Sequence, residues 1–511
     1  TNEGNARKCA ATPPVHVAVA GVEKLVPSVD DLEPFVALLS KAATGQAISQ
    51  YVSVLSPPVD TPIPDFETDE FRPAEEREFH LVLVDNGRMA MREDDDLRET
   101  LYCVRCGACS NSCANFQQVG GHAFGGETYT GGIATGWEAG VHGQDAAAEF
   151  NDLCTGCTRC VNACPVKIDI PWINTVVRDR INRDADPERF DSLVDGLTPD
   201  EEPAGLDRQK RFFGNVETLA KVGSALAPVS NWVAATTPAR VAMERVLGVD
   251  RRRDLPQFAR ESFVDWFADR GGSRVEEAAA ARSAVVYPDV YTNYVSPERG
   301  KATVRALEAL DVHVRVPKTP GSGRAPLSQG MISTARSKAE AVHDALAPHL
   351  DADRDVVVVE PSALAMFAND YERLLTTDAS ERLADSSYEV CEYVYGRLSN
   401  DADADALAAL DGDLAYHSHC QQRTLDLEAH TVAVLEACGA SVRTSDVECC
   451  GMAGSFGYKE QYYDLSVDVG DPLAEDFATA DRIVASGTSC ADQLESLLDD
   501  RAPHPIELIA P

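Results

Sequence analysis

At 511 residues with 44% hydrophobic side chains, the chain is long enough for roughly three or four domains and is not a disordered one. No apolar run approaches the ~18 residues of a membrane span, so there is no transmembrane segment, and any hold on a membrane would come through a partner. With 83 acidic against 46 basic residues the net charge is −37, which excludes a nucleic-acid partner and suits a halophilic, high-salt cytoplasm better than an ordinary acidic surface.

Residues 1–88 begin as an α/β domain. Val15-His-Val-Ala-Val-Ala20 and Phe79-His-Leu-Val-Leu-Val84 read as buried strands, with a helical stretch near Asp30 to Ala43 between them. A strand reached by Val15 leaves little room for a complete sheet, so the preceding half of the domain is expected before Thr1. The opening Thr1-Asn2-Glu3-Gly4 has neither a charged n-region nor an apolar h-region. The cysteines are therefore expected to stay reduced in the cytosol.

Residues 89–182 carry the strongest signal. Cys103-x2-Cys106-x2-Cys109-x3-Cys113 and Cys154-x2-Cys157-x2-Cys160-x3-Cys164-Pro165 place eight of fifteen cysteines in two runs of identical spacing. A cubane 4Fe-4S cluster needs four thiolates, and a tight C-x2-C-x2-C loop supplies three of them. In two-cluster ferredoxins the last cysteine of each run serves the other cluster. The expected sets are Cys103, Cys106, Cys109 with Cys164, and Cys154, Cys157, Cys160 with Cys113. Ala114 stands where a proline usually follows the first run. Zinc needs only four ligands per site and does not require the full double pattern. Disulfides are disfavoured by the tightness of the loops. Gly120-Gly121 and Gly125-Gly126 flank His122 and Phe124, either as a loop packed near a cluster or as a flexible connector whose histidine is solvated or in the core.

From Pro171 to about Arg282 the pattern turns helical, and residues 183–282 read as a connector that also suits contact with a partner. Phe212-Phe213, Leu219, Val222 and Leu226 recur at helical spacing, and Arg251-Arg252-Arg253 reads as a solvated or salt-bridged turn.

Residues 283–400 and 401–511 are two copies of one unit. The first runs Val285-Val-Tyr-Pro-Asp-Val290, a helix near Arg299 to Leu310, a strand at Val312 to Val316, Gly321-Ser322-Gly323, a long helix, and Val356 to Ala363. The second runs Leu414-Ala-Tyr-His-Ser-His-Cys420, a helix near Leu425 to Cys438, a strand at Val442, Cys449-Cys450-Gly451, and Ile483 to Cys490. From 290 to 321 is 31 positions and from 420 to 449 is 29. Strand–helix–strand alternation suggests a pair of Rossmann-like α/β repeats. The fold class is thus α/β, with an α-helical two-cluster ferredoxin-like domain and this C-terminal pair.

Cys420, Cys449, Cys450 and Cys490 fall just after strands or at turns, where parallel strands converge on ligands, and would hold a third iron–sulfur cluster. Val290, Gly321, Ser322 and Ala363 of the first copy cannot ligate iron. A buried or disulfide-linked pair is the plainer reading of Cys449-Cys450. His417 and His419 could ligate or tune a cluster, though hydrogen-bonding support or plain core packing is the simpler reading. Backbone amides of Ser486-Gly-Thr-Ser489 are candidate donors to a cluster sulfur. Cys9, Cys391 and Cys438 read as buried small hydrophobes.

Pro14-Val-His-Val-Ala-Val-Ala-Gly-Val-Glu-Lys-Leu-Val-Pro27, Leu83-Val-Asp-Asn-Gly-Arg88, Cys103-Val-Arg-Cys-Gly-Ala-Cys109 and Cys164-Pro-Val-Lys-Ile168 resemble the lactate-utilisation iron–sulfur proteins over about residues 1–185. The resemblance implies a sugar-isomerase and CoA-transferase-like fold for the first region, the C-terminal part of a LUD domain. It also implies a role in oxidising L-lactate to pyruvate. Cys449-Cys-Gly-Met-Ala-Gly-Ser-Phe-Gly457 and His417-Ser-His-Cys420 resemble the CCG-domain subunits of heterodisulfide reductase, glycolate oxidase, anaerobic glycerol-3-phosphate dehydrogenase and lactate-utilisation systems.

The expected protein is a cytoplasmic iron–sulfur oxidoreductase component, peripheral at the inner face of the membrane if a partner holds it there. It would carry electrons from a 2-hydroxy acid, most readily lactate, toward a quinone or other respiratory acceptor. The alternative is an electron-transfer subunit of a separate flavin-dependent D-lactate, glycolate or glycerol-3-phosphate dehydrogenase, or a heterodisulfide-reductase-like protein. A flavin such as FAD, if one is used, would sit on a partner chain or on the amino-terminal part expected before Thr1. No G-x-G-x-x-G turn opens a helix, so no NAD site is expected. The sequence nominates no catalytic acid–base pair.

Overall fold

The computed structural model describes residues 4–47, 54–184, 202, 206–400 and 402–511. Of the connector expected over 183–282, residues 185–201 and 203–205 lie outside the described residues, as do residues 1–3 of the opening segment.

The amino-terminal region contributes strands β1 (Val15–Gly21), β2 (Ile63–Asp65), β3 (Glu70–Arg72) and β4 (Glu78–Val84). Alternating valines give β1 its pleated preference. β1 and β4 pair in parallel from Val15 with Glu78 to Gly21 with Val84, while β2 and β3 form an antiparallel pair. The helix Leu32–Thr44 lies between β1 and β2 in the chain, close to the expected stretch. The expected burial of both strands is not met. Val15, Val17 and Val19 are 46–66% exposed, and Leu81, Val82 and Leu83 are 45–52% exposed. Apolar composition sets strand preference, but a strand pair is buried only where further layers cover it. Among the described residues no layer covers both faces of β4.

From Arg88 to Asp184 the chain is helical with tight loops. Trp137, fully buried, stacks on Tyr129 with ring centroids 4.6 Å apart, and Ile133, Ile168, Ile173 and Val177 pack in the same core. Between the cysteine runs His122 is exposed, as a solvated histidine would be. The stretch around it is nonetheless ordered. Phe124 is buried between Phe116 and Phe150, its carbonyl accepts from the Gly131 amide at 2.7 Å, and Gly125 bridges Thr130.

The described part of the connector is helical: Arg208–Gly214, Val216–Ala225, Val229–Ala235, Thr237–Leu247 and Phe263–Asp269. Leu226 and Trp232 are 60% and 70% exposed. The arginine triplet divides its roles. Arg251 pairs with Glu244 and Arg252 with Asp250, whereas Arg253 is buried and donates to Gly457 O and Ser466 Oγ at 3.0 Å each. The triplet is thus salt-bridged at its first two residues, one of the two expected forms, and through Arg253 pins the connector to the carboxyl-terminal half.

Two parallel sheets complete the fold. The first holds β5 (Arg282–Tyr287), β6 (Val312–Arg315), β7 (Asp355–Val358) and β8 (Ser387–Glu389) in the order β6-β5-β7-β8. The second holds β9 (Asp413–His417), β10 (Ser441–Thr444) and β11 (Ile483–Ala485) in the order β10-β9-β11. In each, the earliest strand is central, flanked by the second and third, so the two units share one strand order. Continuous Val/Ala runs in β5 and β7 meet the need of strands buried on both faces. Val286, Val312 and Val357 share a core with Tyr416, Val434 and Val484, which joins the two sheets into one body.

Candidate iron–sulfur centres

The two cysteine runs adopt the same backbone path. Each first cysteine follows a short 3-10 turn, Arg98–Tyr102 before Cys103 and Asn151–Leu153 before Cys154. Two residues later φ is positive, +57° at Arg105 and +68° at Gly156, and two further on again, +79° at Gly107 and +63° at Thr158. This curl aims the Arg105 amide at the Cys103 sulfur and the Gly156 amide at the Cys154 sulfur. Donors of this kind stabilise a thiolate or a cluster sulfur.

The last cysteine of each run lies beside the other run. Cys103, Cys106, Cys109 and Cys164 line one cavity of about 280 Å³ with Arg105, Tyr129 and Pro165. Cys113 has Cys157 and Cys154 as its close thiol neighbours, and Cys160 faces all three. Burial, then mutual repulsion among the sulfurs, pushes the Cys109 thiol up to about 11 and the Cys113 thiol up to about 12. Four thiolates are therefore unfavourable at either place unless a cationic body lies between them. Among the described residues no three of these sulfurs come within 4.8 Å of one another. A single tetrahedral zinc with ~2.3 Å bonds would draw its sulfurs to roughly 3.8 Å.

The third group stands where the strands of the second sheet end. β9 delivers His417, and the Cys449-Cys450 turn follows β10. Cys490 sits in the first turn of the helix Thr488–Leu498 after β11. Donor atoms of His417, Cys450 and Cys490 lie within 4.8 Å of one another and all three residues are buried. Cys420 and Cys449 flank them. The hydrogen bond with Cys490 holds the Cys450 thiol below its usual range against burial, and the His417 ring adds to this, while the same bond and burial push Cys490 up.

The histidines divide. His419 Nδ1 accepts from the Gln421 amide at 3.2 Å and caps the helix Cys420–Thr424, the supporting role expected. His417 is fully buried, and its ring nitrogens have no partner other than the neighbouring thiols, with which it forms the group of three. An imidazole facing two thiols is the donor chemistry of a soft metal or iron–sulfur site. A network of Tyr416, Ser418 and Ser486 hydroxyls on Gln422 Oε1, at 2.5–3.0 Å, fixes these strand ends.

Some expected donors are engaged elsewhere. The Thr488 amide donates to Glu360 Oε2 at 3.1 Å, so it is held by the first repeat rather than directed at a sulfur. Val290, Gly321, Ser322 and Ala363 hold the equivalent places in that repeat without ligating side chains, and Tyr287 replaces His417. All fifteen cysteines are free thiols, so Cys449 and Cys450 are not disulfide-linked. Cys391 and Cys438 are buried as expected, whereas Cys9 is exposed on a short terminal helix and does not serve as a core residue.

The second cysteine run and the third group interlock. Gly156 O accepts from Arg324 Nη2 at 2.7 Å and from Gln421 Nε2 at 3.4 Å. Thr158 Oγ1 meets Thr424 Oγ1 at 3.0 Å, Asn162 Nδ2 donates to Thr424 O, and Arg159 pairs with Glu448. Cys157 consequently neighbours both Cys420 and Cys449. At the opposite end Lys24 Nζ donates to Cys103 O at 3.2 Å, and Glu23 pairs with Arg88 at 2.7 Å. The three sites are therefore ordered from the amino-terminal region, through the first and second runs, to the second parallel sheet.

Residues 1–84 match the LUD domain model, 99–168 the 4Fe-4S dicluster domain and 414–495 the Cysteine-rich domain, CCG. Lactate utilization protein B of Bacillus pumilus is 30% identical over 277 residues, covering 53% of this chain and 52% of that protein. Its counterpart in Bacillus cytotoxicus is 32% identical over 282 residues, 54% of each chain. An uncharacterized electron transport protein of Escherichia coli, YkgF, is 30% identical over 284 residues, 52% of each. The chain spans about half the length of these curated relatives, and it carries LUD, dicluster and Cysteine-rich segments in one polypeptide.

Proposed function

We propose that this chain is an iron–sulfur electron-transfer component of an oxidoreductase system for a 2-hydroxy acid, with lactate to pyruvate as the favoured reaction. The observation that carries the reading is the interlock of the second cysteine run with the Cys420 helix, which sets Cys157 beside Cys420 and Cys449. In this reading Cys103, Cys106, Cys109 and Cys164 hold one 4Fe-4S cluster, and Cys113, Cys154, Cys157 and Cys160 hold a second. Cys420, Cys449, Cys450 and Cys490, with His417, hold a third iron–sulfur centre between Rossmann-like repeats. Such centres, when bound, supply one-electron steps. The chain's own residues hold the thiolates, donate amides to sulfurs and bury the middle and third sites. The relatives' names support lactate utilisation and electron transport as the setting; in this reading any FAD sits on a partner and a quinone is the distant acceptor.

A second reading, a pure carrier serving a separate flavin dehydrogenase, draws on the cavity at the first run. Its lining is the first thiol set with Arg105, Tyr129 and two threonines, which suits electron carriage. Lactate-dependent dye reduction by the anaerobically purified chain, with and without a flavin dehydrogenase, separates the two. Activity only with the partner selects the pure carrier. Iron analysis tests the centres: three cubanes require about twelve Fe per chain and two require about eight. If Cys449→Ser left iron and EPR signals unchanged, the third centre would be wrong.

A further inference from the structure

The first repeat has lost every ligand position, yet the turn equivalent to Cys449-Cys450-Gly451 still reaches the electron path. Gly321-Ser322-Gly323 leads into the helix Arg324–Ser328, with Gly323 at φ +85° setting the direction. Arg324 then extends out of its own repeat. Nη2 donates to Gly156 O at 2.7 Å, inside the second cysteine run, and Nη1 to Asp370 Oδ2 at 3.1 Å. The arginine side chain is 20% exposed and the aspartate 17%. A Cβ on Gly156 would meet Nη2 at 2.9 Å, so the guanidinium is seated against the loop. Its field also reaches Cys154 of the second set and Cys420 and His419 of the third.

We propose that Arg324 is an electrostatic positioning residue of the junction: the emptied repeat uses its remnant turn to hold one positive charge against the second and third centres, favouring their reduced forms. An added electron makes a centre one unit more negative, and a fixed cation in a partly buried setting stabilises that state. Asp370 offsets part of the charge and fixes the rotamer. Lys24 acts on Cys103, and Arg324 is not among the principal groups acting on Cys103 or Cys109, so the first centre is an internal control. The inference rests on the reading of these cysteines as cluster ligands.

The test is an EPR-monitored potentiometric titration of the anaerobic holoprotein at pH 8, with iron content measured alongside. Arg324→Gln shifts the second centre's midpoint to more negative potential and leaves the first unmoved. Arg324→Lys, which keeps the charge, stays near wild type. Asp370→Asn, which leaves Gly156 O its donor, shifts the midpoint to more positive potential. Equal shifts in Gln and Lys variants, or equal shifts at the first and second centres, overturn the proposal. If Arg324→Gln sheds iron, Asp370→Asn decides: a positive shift supports the role and no shift overturns it. A wild-type chain that holds no iron would refute the cluster reading itself, a result distinguishable from either.

Discussion

Arg178 offers a direct test of how the ferredoxin-like region is joined to the carboxyl-terminal half. Its Nε donates to Asn151 Oδ1 at 2.9 Å and Asp152 Oδ1 at 2.8 Å. Nη2 reaches Asn151 O and Cys154 O at 2.9 and 3.0 Å, and Nη1 crosses to Ser328 O at 2.7 Å. Burial alone would raise the Asp152 carboxyl, but Arg178, then Lys210 and Lys459, hold it well below the usual range. Arg178→Met keeps the stem and removes the charge. Breaking a buried pair from one side costs ~3–5 kcal/mol, and Lys210 at 3.8 Å from Asp152 places this case near the lower figure. With an m-value of roughly 3 kcal/mol/M, the urea midpoint falls by about 1 M. The assay follows far-UV circular dichroism and the visible absorbance of the clusters in urea. Because the folded carboxyl is depressed, its contribution is present above the unfolded carboxylate pKa and is lost as pH falls through the folded value. The gap between variant and wild type is therefore widest near neutrality and closes in acid. A loss below about 0.5 kcal/mol, or a gap that widens in acid, would refute the assignment of Arg178 as the clamp.

Further outcomes follow from the same geometry. Burial pushes the Glu389 carboxyl from 4.5 up to about 8, so the folded protein holds this proton more tightly and stability drops as pH rises across that window. Glu389→Gln should flatten the pH dependence there in urea titrations, and an unchanged slope would count against it. Cys113→Ser should extinguish the EPR signal of the second centre while sparing the first, and Cys164→Ser should do the reverse. Loss of the same signal in both would break the interleaved assignment. Leu226→Ser with Trp232→Ser should change stability by no more than about 0.5 kcal/mol each, because each side chain keeps most of its surface in water; a cooperative loss in thermal melts would show that the face is covered.

What the sequence makes legible here is whatever is coded by local spacing. Identical C-x2-C-x2-C-x3-C runs dictate identical curls, and Cys164 beside Cys103 and Cys113 beside Cys157 bring the last cysteine of each run to the other. The two parallel sheets are readable for the same reason, since runs such as Val285-Val286 and Val356 to Val359 need burial on both faces. Tertiary contacts are less legible. β1 and β4 have core-strand composition, yet their exposure depends on what else lies over them. Arg253 and Arg324 are charged residues at turns, and only the fold shows that one is buried against Gly457 and the other lodged against Gly156. His417 is separated from Cys450 and Cys490 by whole strand–helix units. Its donor role depends on the convergence of β9 and β11, which no short window contains.

The interlock at Gly156, Thr158 and Thr424 also bears on kinetics. Where a ferredoxin and its acceptor are separate proteins, transfer waits on diffusional encounter and varies with the concentration of each and with ionic strength. Here both sides of the junction belong to one polypeptide and are bolted together by hydrogen bonds. In the proposed reading, electron passage between them would be a first-order event with fixed one-to-one stoichiometry, indifferent to dilution and to the salt that would screen an acidic pair of proteins.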